Sequence, residues 1–263
     1  MKTLKTSSVN QLPHLLIKST VKAFRILEIL CEEGEMGISQ LSKKTDLKKS
    51  NVHRLLATLI HLGYVGKESV TSLYFPTLKV FEIGSAILNR MELQPIVRPF
   101  LETLGNEFHE TINLSILDGW ETICIEKVES SESLKTAIKV GTRVPAYSTA
   151  SGKVLLANLA EPQMKDFLEH RKLIPLTKNT ISSPEQLGKV LTQIQIQGYG
   201  IDNEEFCEGV RCIAAPIRNF RGKVIAAIGI AGPSIRMTHD RLLDLKEPIL
   251  NTAKEISRKL GYQ

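Results

Sequence analysis

Lys43, Lys44, Lys48 and Lys49 crowd around a turn that leads into Ser50, Asn51, His53 and Arg54, within LSKKTDLKKSNVHRLLATL. Cationic side chains neutralise the phosphates of a polyanion and release its condensed counterions, which supplies affinity with little sequence discrimination. Ser, Asn and Arg can also hydrogen-bond base edges in a major groove. A solvated helical hairpin would carry similar charge, so the elements that hold these groups decide between the two.

Val52, Leu55, Leu56, Leu59 and Leu62 recur at steps of three and four, which predicts a helix with one apolar stripe. Lys49, Ser50, His53, Arg54 and Ala57 then lie away from that stripe. Upstream, Ala23, Phe24, Ile26, Leu27 and Leu30 predict a first helix from Ser19 that ends near CEEGEMG. A second short helix is expected at ISQLSKKT, with Ser39 capping its start and Leu41 facing inward. After the third helix, GYVGKESVTSLYFPT reads as two strands, Tyr64 to Lys67 and Leu73 to Pro76, around a polar tip. Three helices and a wing make a winged helix-turn-helix, with the third helix presented to a DNA groove. Lys67 near the tip is placed to touch the backbone or the minor groove, or is simply solvated.

The charge distribution agrees. Met1 to Val80 holds 12 Lys plus Arg against 6 Asp plus Glu, and the remainder holds 22 of each, so the net +6 lies wholly in the first third. A basic module joined to a neutral one is implied, with a polyanion as partner of the first. Residues 1–16 show no usable period and are expected to form a flexible arm; 17–77 are the winged module. TLKVFEIGSAILNRM, with apolar Leu78, Phe81, Ile83, Ile87 and Leu88, is expected as a connecting helix over 78–93, available to a second subunit. Pro95 and Pro99 are expected where it gives way to a domain over 94–263. No stretch approaches the roughly 18 apolar residues of a membrane span, and a secretory leader pattern is lacking, so the expectation is cytoplasmic. Cys31, Cys124, Cys207 and Cys212 are scattered and unaccompanied by histidines at ligand spacing, so reduced, mostly buried thiols and no metal site are expected.

In the neutral part, Ile112, Leu114 and Ile116 alternate, turn at Asp118 and Gly119, and return through Ile123 and Ile125, a hairpin pattern. A second hairpin is expected from Arg211 to Ile217 and Lys223 to Ile230. Helices are expected at SGKVLLANLA and at SPEQLGKVLTQIQIQGYG, the latter started by Ser183 and Pro184 and stopped by Gly198. A last helix from Thr238 to Leu260 is expected to kink at Pro248. Hairpins interleaved with helices argue for an α+β domain, an antiparallel sheet covered by helices. ASGKV lacks the residues of a phosphate-binding P-loop, GIAG is too short for a dinucleotide fingerprint, and no GxSxG occurs. Asp202, Glu204 and Glu205 in GIDNEEFCEG have the types of a metal or acid/base site, but acidic loops are more often solvated surface, which is the expectation. No catalytic set emerges and no cofactor is implied. The competing class, a small-molecule enzyme with a basic interaction module, lacks a catalytic constellation; an RNA-binding protein lacks clustered aromatic residues.

The chain resembles the IclR family of bacterial transcriptional regulators in KAFRILEIL, KKSNVHRLLATLIHLGYV, LKVFEIG, VPAYSTASGKVLLA, QGYGIDNEEFCEGVRCIAAPI and AAIGIAGP, found in family order from about Lys18 to Tyr262. KSNVHRLL, YSTASGKVLLA, LTKNTI and GYGIDNEE are most similar to the branch that represses sugar-acid catabolism, of the 2-keto-3-deoxygluconate type. The resemblance implies an N-terminal winged helix-turn-helix and a C-terminal GAF-like domain that binds a small organic acid. It also implies homodimers or homotetramers on palindromic double-stranded operators. Transferred by motif, the effector pocket places Ala150 and Ser151 at a backbone-lined anion site, with Asp202 and Cys212 beside it. Two further pocket positions, serines in many relatives, are Gly229 and Ala231 here, which removes two hydroxyl donors. Independently of the resemblance, a helix start at Ser151 suits a carboxylate, and Asp202 suits ligand hydroxyls; simple capping by Ser151 and simple burial of Cys212 are the alternatives.

Overall fold

The computed structural model describes residues 16–91 and 93–263. The expected arm therefore lies, except for Leu16, outside the described residues, as do the side chains of Ile87 and Leu88. The chain divides into two compact units, Met1–Arg90 and Met91–Gln263.

In the first unit, helices α1 (Lys18–Glu33), α2 (Ile38–Thr45) and α3 (Lys49–His61) pack through Ile26, Leu27, Ile29, Leu30, Leu41, Val52, Leu56 and Leu59. Strands β1 (Val65–Lys67) and β2 (Tyr74–Pro76) pair antiparallel, Lys67 opposite Tyr74, and a bridge from Met36 to Tyr74 ties this wing to the segment before α2. The winged helix-turn-helix is thus present. Three details depart from expectation. Phe24, on the flank of the α1 stripe rather than on it, is 60% exposed. Leu62 is exposed because α3 ends at His61, so the helical stripe no longer applies. Ser39 does not cap α2: the N-cap is Gly37, whose backbone N–H donates to Gln40 Oε1 at 3.0 Å. Helix α4 (Leu78–Met91) follows, with Leu78 and Phe81 exposed by 78% and 72%.

The second unit begins with α5 (Leu93–Phe108). Pro99 sits inside this helix rather than marking its boundary, and Pro95 occupies the first turn, where a missing N–H costs no intrahelical bond. Strands β3 (Thr111–Asp118), β4 (Glu121–Val128), β5 (Arg143–Pro145), β6 (Gly200–Asn203), β7 (Val210–Arg218) and β8 (Val224–Pro233) form one antiparallel sheet in the order β5-β4-β3-β8-β7-β6. Between β5 and β6 come α6 (Ala150–Ala157), α7 (Glu161–His170) and α8 (Pro184–Gln197); α9 (His239–Asp244) and α10 (Lys246–Lys259) end the chain. The final helix is therefore two. The break falls at Leu245, because Pro248 has no N–H for the carbonyl of Asp244 and its ring crowds that carbonyl.

Side-chain alternation explains what this sheet positions. Ile213, Ile217, Ile228 and Ile230 fall on the side met by α10, while Cys212, Ala214, Ala227 and Ala231 fall on the side of α6. Small residues on that second side let α6 approach closely and leave a cavity beyond its first turn. This is the expected α+β, GAF-like organisation.

Candidate functional site

Every expected DNA-facing residue, Lys43, Lys44, Lys48, Lys49, Ser50, Asn51, His53, Arg54 and Lys67, is exposed. The turn between α2 and α3 is closed by Ser42 Oγ donating to the Leu47 carbonyl at 2.5 Å and by Asp46 in a left-handed conformation. Lys48 is the N-cap of α3 without a side-chain cap, so the N–H groups of Lys49 and Ser50 stay available at the positive end of the helix dipole, while that of Asn51 donates to the Lys48 carbonyl at 2.9 Å. Among the described residues, Lys43, Lys48, Lys49, Arg54 and Lys67 form no ion pair. Lys44 does: its Nζ lies 2.7 Å from Glu33. Lys67 Nζ sits 5.6 Å above the Tyr74 ring, held near the wing. A shallow notch beside α3 adds Ser19 and Lys22 of α1 to Asn51, Arg54 and Thr58. Ser19 and Lys22 were missed because nothing local in the α1 sequence shows that it lies alongside α3.

The second unit holds a cavity of about 290 Å³. Ser151, Asp202, Cys212 and Ala231 line it together with Asn113, Ser115, Thr136 and Thr149. Ala150 is fully buried behind the lining and Gly229 backs it, so neither is in the wall itself. Thr149, not Ser151, caps α6, its side chain accepting from Gly152 N–H at 3.0 Å. Ser151 is thereby free to turn its hydroxyl to Asn113 Oδ1, 3.5 Å away. Position 229 is not a gap: a Cβ there would lie 2.9 Å from Asn113 Oδ1 and 3.0 Å from Ser151 Oγ. The space beside Gly229 is filled by groups from β3 and α6.

The acidic segment that begins within β6 is not a solvated loop. Asp202 and Glu205 are buried, and Glu205 Oε1 accepts from Lys153 Nζ, also buried. Only Glu204 behaves as a half-exposed partner, 3.0 Å from Arg211. Asp202 Oδ1 accepts from the Glu205 N–H at 2.7 Å. Burial pushes the Asp202 carboxyl up to about 7, and the neighbouring Glu205 charge adds to the rise, while backbone N–H groups and Lys153 oppose it. Asp202 can therefore accept from a hydroxyl or, protonated, donate to a carboxylate near neutrality. Burial, with the Asp202 charge beside it, also raises the Cys212 thiol far above its usual range, so it stays protonated. Of the four cysteines only Cys124 and Cys212 are buried; Cys31 and Cys207 are exposed, against the expectation of mostly buried thiols.

The raised acid has a stability consequence. Its ordinary value is 3.8, so between that pH and about 7 the folded chain holds a proton that the unfolded chain has released. Its stabilising contribution is full below the lower value and is lost as pH rises through the upper one. Asp202→Asn is expected to flatten this loss, which denaturant unfolding at pH 5 and pH 8 would measure as a smaller difference than in the parent.

Residues 85–258 match the family described as bacterial transcriptional regulator IclR C-terminal, and residues 19–69 match the IclR helix-turn-helix domain. The HTH-type transcriptional regulator KdgR of Escherichia coli K12 is 40% identical over 246 residues, covering 94% of each chain. The crystal structure of Thermotoga maritima IclR superposes with a TM-score of 0.82 at 33% identity, covering 94% of this chain and 100% of that one. The C-terminal domain of E. coli KdgR matches with a TM-score of 0.59 at 38% identity, over 65% of this chain and 99% of that one. Among the described residues no helix is long and apolar enough to cross a membrane. With both halves matched in order, the chain belongs to the IclR family of bacterial transcriptional regulators and is a DNA-binding regulator rather than an enzyme.

Proposed function

We propose that this regulator represses sugar-acid catabolic genes and releases its operator when a small organic acid, of the sugar-acid class, fills the cavity of the second unit. The observation that carries the reading is the exposed face of α3, where Lys49, Ser50, Asn51, His53 and Arg54 lie together opposite the buried Val52, Leu56 and Leu59. In it, Ser50, Asn51 and Arg54 read base edges, while Lys43, Lys48, Lys49 and, at the wing, Lys67 hold phosphates. Lys44 contributes after exchanging its Glu33 partner for phosphate. Residues 17–77 act as the DNA-binding domain, 78–93 as the connecting helix and 94–263 as the effector domain.

The exposed Leu78 and Phe81 on α4 and Phe24 on α1 form apolar surface suited to self-association. A homodimer, or a homotetramer of two such dimers, would present two recognition helices to a palindrome with half-sites about 34 Å apart or a multiple of that. Similarity to KdgR supports the sugar-acid branch. In the cavity, Ser151 takes the acid group, with Asp202, Cys212 and Ala231 shaping the remainder and with Ala150 and Gly229 supporting this wall from behind. Effector binding then works by differential affinity for subunit arrangements, drawing the population away from operator spacing.

Footprinting on the DNA upstream of the gene, at low salt, tests this directly. Protection of a two-fold symmetric site, lost on adding a sugar acid, is expected. Arg54→Ala is expected to weaken the specific complex by about tenfold or more and to relax base preference. Lys49→Ala should instead weaken specific and random DNA alike and flatten the salt dependence. Equal losses on both DNAs for Arg54→Ala would remove its base-reading role.

A further inference from the structure

Part of the cavity wall carries polar groups outside the set assigned to the acid head. Thr136 lies on the connection between β4 and β5, is 9% exposed and lines the cavity. Its Oγ1 is buried without a hydrogen-bond partner among the described residues. A buried hydroxyl left unpaired costs free energy that an occupant of the cavity would recover. Asn113, on β3, lines the same cavity and is 5% exposed. Its Oδ1 lies 3.5 Å from the hydroxyls of both Ser115 and Ser151, which can each donate to it. The carbonyl end is thus engaged internally and the Nδ2 donors remain for the cavity contents.

Gly229 makes this placement of Asn113 possible. The two residues are cross-strand partners, and a Cβ at 229 would meet the Asn113 carboxamide oxygen at 2.9 Å. Among the described residues no Lys or Arg lines the cavity, so beyond the acid head its wall offers hydroxyl and amide groups and the Asp202 carboxyl rather than a positive charge. A ligand hydroxyl suits both residues, because it accepts from Asn113 Nδ2–H and either donates to or accepts from Thr136 Oγ1.

We propose that Asn113 and Thr136 are specificity residues that pair with hydroxyl groups on the tail of the effector and so select a polyhydroxylated acid over a short 2-oxo acid. The inference rests on the assignment of this cavity as the effector site. A site built to hydrogen-bond a ligand hydroxyl discriminates strongly against the analogue that lacks it, since its own buried groups are then left unpaired.

Pyruvate and 2-keto-3-deoxygluconate share a 2-oxo acid head and differ in the hydroxylated tail, so they isolate this contact. Calorimetric titration of the full chain is expected to show the deoxygluconate binding at least about tenfold more tightly. Thr136→Val, which exchanges the hydroxyl for a methyl of similar size, is expected to reduce that preference by about tenfold while pyruvate affinity holds. Gly229→Ala crowds the Asn113 carboxamide and the Ser151 hydroxyl together, so it is expected to weaken binding of both acids and to reduce the same ratio. A ratio unchanged in both variants, or no preference in the parent, would overturn the inference and leave the effector site standing. Binding of neither acid, with operator protection intact, would overturn it together with the sugar-acid assignment.

Discussion

Lys153→Met is expected to lower the stability of the second unit by about 3–5 kcal/mol, the usual cost of removing one partner from a buried ion pair. The Lys153 and Glu205 side chains retain only 2% and 8% of their exposure, so solvent does little to screen the carboxylate left behind. Glu205 Oε2 already lacks a partner among the described residues, and methionine offers it none. Asp202, whose charged form Lys153 supports, would rise further, tightening its hold on a proton at neutral pH. Chemical denaturation of the full chain would read this as an earlier transition of the C-terminal unit with the N-terminal transition unmoved. Adding Glu205→Gln should recover part of the loss, because a neutral amide leaves no uncompensated charge. A loss below about 1 kcal/mol would show that the pair is hydrated and resembles an exposed salt bridge.

Gly152→Ala is expected to cost about 3 kcal/mol or more, at the upper end of overpacking effects. A Cβ at 152 would fall 2.1 Å from the Ala146 carbonyl oxygen and 2.5 Å from its Cα, so backbone rather than a flexible side-chain tip must yield. Relief requires α6 to withdraw from residues 146–148, which carries Ser151 away from Asn113 and opens the acid end of the cavity. Gly188→Ala is the internal control. That glycine also lies in a helix, α8, but its Cβ would meet only Leu168 Cδ1 at 3.5 Å, an ordinary contact. Helix propensity then acts alone and favours alanine by up to about 1 kcal/mol. Thermal melts should therefore move in opposite directions for the same chemical change, with weakened effector binding only at position 152.

The two substitutions mark the border between what local pattern reveals and what it hides. Within ASGK the sequence shows a helix start with a lysine and lacks the residues of a P-loop. Nothing in those residues shows that Gly152 is required by a neighbouring backbone, or that Lys153 points into the interior toward Glu205. Asp202, Glu204 and Glu205 read as a solvated acidic loop for the same reason: burial of a charge depends on a counter-charge brought from another element.

By itself the sequence determined the elements with strong periodicity or punctuation: α1 to α3 with their apolar stripe, the wing, the hairpins β3–β4 and β7–β8, and α8 between Ser183 and Gly198. It also gathered cations around the start of α3 and on its exposed face, because charge and helical phase are both local properties. Tertiary structure alone decided the short edge strands β5 and β6, three and four residues long with too little alternation to read, through their pairing with β4 and β7. It alone joined Thr136, Asn113 and Ser151 around one cavity and buried Lys153 with Glu205. Those groups come from separate strands, loops and helices, and their meeting is set by sheet register and by the close approach of α6, which no residue pattern along the chain contains.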